Sequence, residues 1–284
     1  MTASLKESRN FTGFGESRDY PGADQYPQNT HPEAVTGPLQ IEHPGLSAIP
    51  SALREGVADW RAFRTDIAVH VVIYPLAAAL LAGVILDQAL LPFIFPICAG
   101  IALIGPVATI WFAALSRQRE RDGTGTSDAA AAIFDSPRRL TVQRLALLLM
   151  GLFAVWIAVA GVLYSITMGK LHGGAFFTNL LTTTAGYEML VLGVLLGAGF
   201  ALVALAIGLV GFQLALDREM SVSAVVSTSL HVAAGNPGLT LAWGGVVVAG
   251  LVLGAIPGLL GLSVAIPVLG HASWHLYRRL MTSG

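Results

Sequence analysis

Six apolar runs without a single Asp, Glu, Lys or Arg occupy most of the chain after residue 66. They are Ile67–Leu86, Leu90–Leu115, Leu145–Met168, Met189–Leu216, Gly238–Ile256 and Leu259–Tyr277. A bilayer core of about 30 Å takes roughly 20 apolar residues in a helix, and every run has that length or nearly so. Lipid offers no partner to backbone N–H and C=O groups, so such runs must form helices. The expected fold is all-α, a polytopic bundle of six transmembrane helices with short interfacial helices. Composition agrees: 54% of residues are hydrophobic and 12% charged, against about 25% charged in soluble domains.

Orientation follows from the basic residues. Of 16 Lys and Arg, only Lys170 falls on the far side of the threading. Arg61, Arg64, Arg117, Arg119, Arg121, Arg138, Arg139, Arg144, Arg218, Arg278 and Arg279 all fall on the near side, as do the tail's basic residues. The positive-inside rule then puts both termini in the cytoplasm. The chain starts without an apolar leader, so its first span is expected to act as the targeting signal.

Residues 1–53 are rich in Pro, Gly, Asn, Gln and Ser and have no apolar periodicity. They are expected to form a disordered cytoplasmic tail, leaving residues 54–281 as the membrane domain. At the junction, Leu53, Val57, Trp60 and Phe63 recur at helical spacing between Arg54, Arg61 and Arg64. That pattern predicts a basic amphipathic helix in the headgroup layer, with Trp60 as an interface anchor and Trp274 and Tyr277 in the same aromatic belt.

Small residues predict where helices approach closely. Gly193 and Gly197 form one small-xxx-small pair, and Gly250, Gly254 and Gly258 form another, which points to close packing of spans four and five. Ser221 is placed to cap a cytoplasmic helix that Gly235-Asn236-Pro237 stops.

Charge-free spans leave little for ion translocation to use. Hydrolytic motifs are missing too: there is no nucleophile elbow, no His-Glu-x-x-His and no phosphate-binding loop. The chain is therefore not expected to be an enzyme. Histidine is the remaining candidate. His70 lies one turn inside span one, and His271 and His275 lie four residues apart near the end of span six. Three imidazoles at similar depth suit a metal ion, or a haem held by two of them. Hydrogen bonding at the interface is the plainer use, so no cofactor is the first expectation.

Several segments resemble a family of uncharacterised bacterial integral membrane proteins. They are Gly105-Pro106 through Ser116-Arg117-Gln118-Arg119-Glu120-Arg121, then Leu216-Asp217-Arg218-Glu219, then His231 through Pro237, then Gly270-His271-Ala272-Ser273-Trp274-His275-Leu276-Tyr277-Arg278-Arg279. Members of that family are often labelled cytochrome c oxidase subunits. The resemblance implies a bacterial inner (cytoplasmic) membrane and a respiratory association. Six helices and so few histidines do not make a catalytic haem–copper core. The expected function is a non-catalytic accessory or assembly subunit, in contact with lipid and other membrane subunits and not with nucleic acid. The alternatives are a channel or facilitator for a small or lipophilic solute, and a haem- or metal-binding membrane protein.

Overall fold

A computed structural model describes residues 39–63, 109–123, 131–169, 176–257 and 259–283, together with helical positions Leu76, Ala79 and Gly83. Most of runs one and two lies outside the described residues, as do residues 1–38, His70, Lys170 and Gly258.

Within those bounds the protein is all-α apart from one pair of short strands. The elements are β1 (Leu39–Ile41), α1 (Ala48–Ala62), α2 (109–122), α3 (Arg138–Thr167), α4 (Phe176–Thr182), α5 (Thr184–Gly208), α6 (Gly211–Asp217), α7 (Val222–Gly235), α8 (Pro237–Ala255), α9 (Leu262–Leu280) and β2 (Met281–Ser283). Among the described residues, three helical stretches are long and apolar enough to cross a bilayer: Arg138–Thr167, Thr184–Asp217 and Pro237–Ala255. They coincide with runs three, four and five. Their side chains face outward along most of their length; α3, with 30 residues, buries only Val142, Leu145 and Leu163. Apolar surface on that scale is lipid-facing or partner-facing, because soluble monomers do not carry it.

Span four is not continuous. The helix stops at Gly208, and a new one starts at Gly211 after Leu209 and Val210. The break exposes backbone groups that lipid cannot satisfy. Ser229 of α7 satisfies them: its Oγ lies 2.8 Å from the Ala206 carbonyl, 2.9 Å from that of Ile207 and 3.4 Å from the Val210 N–H. The apolar run alone predicts an unbroken helix, because the residue that stabilises the break lies some twenty positions away.

Helix α9 is the centre of the core. Nearly every residue from Ile266 to Tyr277 is buried, and helices α1, α2, α6 and α8 close on it. Helix α1 packs along its C-terminal half through Ala48, Ala52, Gly56 and Asp59. A Cβ on Gly56 would sit 2.7 Å from the Ala272 backbone N and 2.8 Å from the Val268 carbonyl, so only glycine permits this approach. On another side, Gly270 admits α2: a Cβ there would lie 2.8 Å from that of Phe112. Helix α6 adds Gln213, which donates to Ser273 Oγ at 2.7 Å.

The packing glycines have partners other than those expected. Gly193 and Gly197 face Leu163 and Trp156 of α3, whereas Gly250 and Gly254 face Leu269 and Leu262 of α9. Spans four and five meet instead at Gly244, where a Cβ would lie 2.6 Å from Leu205 Cδ2. Spacing identifies a small-residue face and leaves its neighbour undetermined.

The expected tail also ends earlier than residue 53. Strand β1 pairs antiparallel with β2, setting Leu39 against Ser283, Gln40 against Thr282 and Ile41 against Met281. The Glu42 N–H then donates to the Leu280 carbonyl at 2.9 Å. His43 Nδ1 reaches Asn236 Oδ1 at 3.2 Å, and Asn236 Nδ2 donates to the Glu42 carbonyl at 3.2 Å. These 15 or so residues before position 54 are ordered by contacts with the far end of the chain, a form of order that local periodicity does not register. The α7 boundaries agree with the sequence: Ser221 Oγ accepts from the Ala224 N–H at 3.3 Å, and the helix ends at Gly235.

Candidate functional site

Along α1, Asp59 continues the stripe of Ala48, Ala52 and Gly56 at helical spacing. The stripe faces α9, so Asp59 is carried into the core and is 1% exposed. The amphipathic helix expected in the headgroup layer therefore has a second, small-residue face that docks on protein, leaving Leu53, Val57, Trp60 and Phe63 half-buried.

Two helices supply partners to the Asp59 carboxylate. From α2, Ser116 Oγ donates to Oδ2 at 2.6 Å and Arg119 donates to Oδ1 at 2.7 Å. From α9, His275 Nε2 lies 2.7 Å from Oδ2. The other ring nitrogen of His275, Nδ1, lies 3.1 Å from Glu55 Oε2, and Arg279 completes the pairing of Glu55 at 3.0 Å. A buried carboxylate is tolerated only with such charge and hydrogen-bond compensation. Burial alone would raise the Asp59 pKa. The hydrogen bond and charge of His275, the Ser116 hydroxyl and the charge of His271 outweigh it and hold the group below its ordinary 3.8.

His271, 1% exposed, joins the cluster through Ser116, with Nδ1 2.8 Å from Ser116 Oγ. Its ring lies between Phe63, stacked at 5.6 Å, and Phe112, tilted at 5.2 Å. Its Nε2 is buried with no hydrogen-bond partner among the described residues. The structure thus brings His271 and His275 together through Asp59 and Ser116. His70 lies outside the described residues. Among those residues no group of three His, Cys, Asp or Glu is arranged to hold a metal ion. His275 turns both ring nitrogens toward carboxylates, which leaves neither free for a metal or haem.

A second polar cluster occupies an adjacent face of α9. Asp217, at the end of α6, accepts from Tyr277 Oη at 2.9 Å and from Arg117 Nε at 3.2 Å. Glu120 accepts from Trp274 Nε1 at 2.7 Å and from Arg278 Nε at 2.9 Å. This corrects the aromatic-belt expectation for two residues. Trp274 and Tyr277 are each 1% exposed, and their polar atoms engage buried or half-buried carboxylates instead of the bilayer surface. Trp60 is half-buried, and its Nε1 has no hydrogen-bond partner among the described residues.

Asp59, Glu55, Ser116, Asp217 and Gln213 escape a reading based on apolar runs because each lies outside a run or at its end. One signal was available. Ala48, Ala52, Gly56 and Ala272 are small residues at four-residue spacing or opposite it, the pattern of close helix contact.

Residues 94–217 match the model of a family described as "Predicted integral membrane protein (DUF2189)". The match takes in α2 through α6, and ends before the His231–Pro237 and Gly270–Arg279 segments. With the three spanning-length helices, it places the chain in the class of integral membrane proteins embedded in a lipid bilayer. No curated protein and no solved structure matches the chain.

Proposed function

We propose that this chain is a non-catalytic subunit of the bacterial inner membrane, an accessory or assembly component of a respiratory complex of the cytochrome oxidase type. The observation that carries the subunit reading is the outward-facing apolar surface of α3 and α5, which leaves long helical flanks for neighbours in the bilayer. The respiratory assignment is supported by the resemblance of the Gly270–Arg279 and Leu216–Glu219 segments. The β1–β2 pair supports both ends on one membrane face, as an even number of crossings requires. The arginines around α2 and α9 make that face the cytoplasmic one. Purification from its own membrane in mild detergent tests the reading. A stable set of respiratory partners is expected, and a chain that runs alone contradicts it.

One observation favours a second reading, a haem- or metal-binding protein: the partnerless Nε2 of His271. An absorption band of ligated haem, or stoichiometric metal in the purified protein, would establish it. Their absence together would remove it.

A further inference from the structure

We propose that Glu55, His275, Asp59, Ser116 and His271 form a proton-transfer chain between solvent at Glu55 and Nε2 of His271 in the protein interior. This inference does not rest on the subunit reading. Glu55 has 38% of its side chain exposed, while Asp59, Ser116 and His271 are each 1% exposed. The successive separations are 3.1, 2.7, 2.6 and 2.8 Å, so no link is broken.

Hydrogen-bond direction gives the chain its polarity. Ser116 spends its single proton on Asp59 Oδ2, so its bond to His271 is donated by Nδ1–H. That tautomer leaves an unshared pair on Nε2, the atom with no partner among the described residues. A proton arriving at Nε2 releases the Nδ1 proton to Ser116 Oγ as the serine proton passes to Asp59 Oδ2. As Asp59 takes it, His275, which directs both ring N–H groups at carboxylates, passes its Nδ1 proton to Glu55 and then to water. Each transfer breaks one N–H or O–H bond and forms another, and no electrons change hands. The reverse sequence loads the interior.

The groups around the chain suit this use. Arg119 occupies Oδ1 of Asp59 and leaves Oδ2 to the relay, while Arg279 pairs Glu55. These two guanidiniums are the charged groups that α2 and α9 turn toward the chain; α1 contributes the two carboxylates. The Phe63 and Phe112 rings cover His271, so the hydrogen-bonded route competes with little direct access of water.

The test is ring-proton exchange of His271 with solvent, followed by NMR on the full chain with nitrogen-15 histidine in lipid nanodiscs. Replacing Ser116→Ala should slow exchange roughly tenfold or more, equivalent to about 1.4 kcal/mol of barrier. Ser116→Thr should restore it, and Glu55→Gln, at the exposed end, should slow it without loss of fold. A purely structural cluster predicts the same rate in wild type, Ser116→Ala and Glu55→Gln, and that result overturns the proposal. Should Ser116→Ala fail to fold, an unchanged rate in Glu55→Gln overturns it alone.

Discussion

His275 holds Asp59 at 2.7 Å through Nε2, which ties a helix preceding the first apolar run to the last helix of the chain. The contact spans 216 positions in sequence. It turns an apparent surface helix into part of the core.

Acid should loosen this junction. The folded pKa of Asp59 lies below its unfolded value, so its contribution is complete above about pH 4 and is lost as pH falls through the folded value. Thermal unfolding in detergent should show a midpoint that drops below that pH. In Asp59→Asn the acid-side slope should shrink, and the midpoint at neutral pH should be lower. Removing one partner of a buried ion pair costs about 3–5 kcal/mol.

Two glycine-to-alanine changes should have opposite signs. At Gly56 the new methyl meets Ala272 and Val268 at under 3 Å, and overpacking of that kind costs about 1–3 kcal/mol. At Gly151, in α3, nothing lies within 4 Å, and helix propensity alone favours alanine by roughly 0.8–1 kcal/mol. Unfolding midpoints measured side by side check both.

The break in span four depends on one hydroxyl. Ser229→Ala removes the group that bridges Val210, Ala206 and Ile207. Leaving buried polar groups unmade costs about 1–3 kcal/mol. Hydrogen exchange at Val210 should rise in the variant, while that of α8 stays as it was.

Strand pairing near the two ends can be trapped chemically. In a chain lacking its single natural cysteine, Cys98, Gln40→Cys and Thr282→Cys stand opposite each other across the β1–β2 ladder. Oxidation should close the ring and change electrophoretic mobility. Moving the second cysteine to Arg144, in the second turn of α3, should abolish closure.

What the sequence makes legible follows from the range of the forces involved. Span five is read to within a residue, 238–256 against Pro237–Ala255, because transfer into lipid is a local property of the run. The cap at Ser221 and the stop at Asn236 are equally local. Order at Leu39–Ile41, the Leu209–Val210 break and the burial of Asp59 each depend on a partner far away in sequence. For the site, His271 and His275 stand out as imidazoles in an apolar run. Their carboxylate and hydroxyl partners do not, because Asp59 and Ser116 look like ordinary interface residues until α1 and α2 are docked.

A double-mutant cycle on Asp59→Asn and His275→Gln, read as unfolding free energy in detergent at neutral pH, tests the central contact most directly. Direct partners in one buried network couple by about 0.5–3 kcal/mol, and Asp59 and His275 should couple in the upper half of that range. Additive losses, with no coupling beyond error, would mean that the two side chains do not meet and that α1 lies elsewhere.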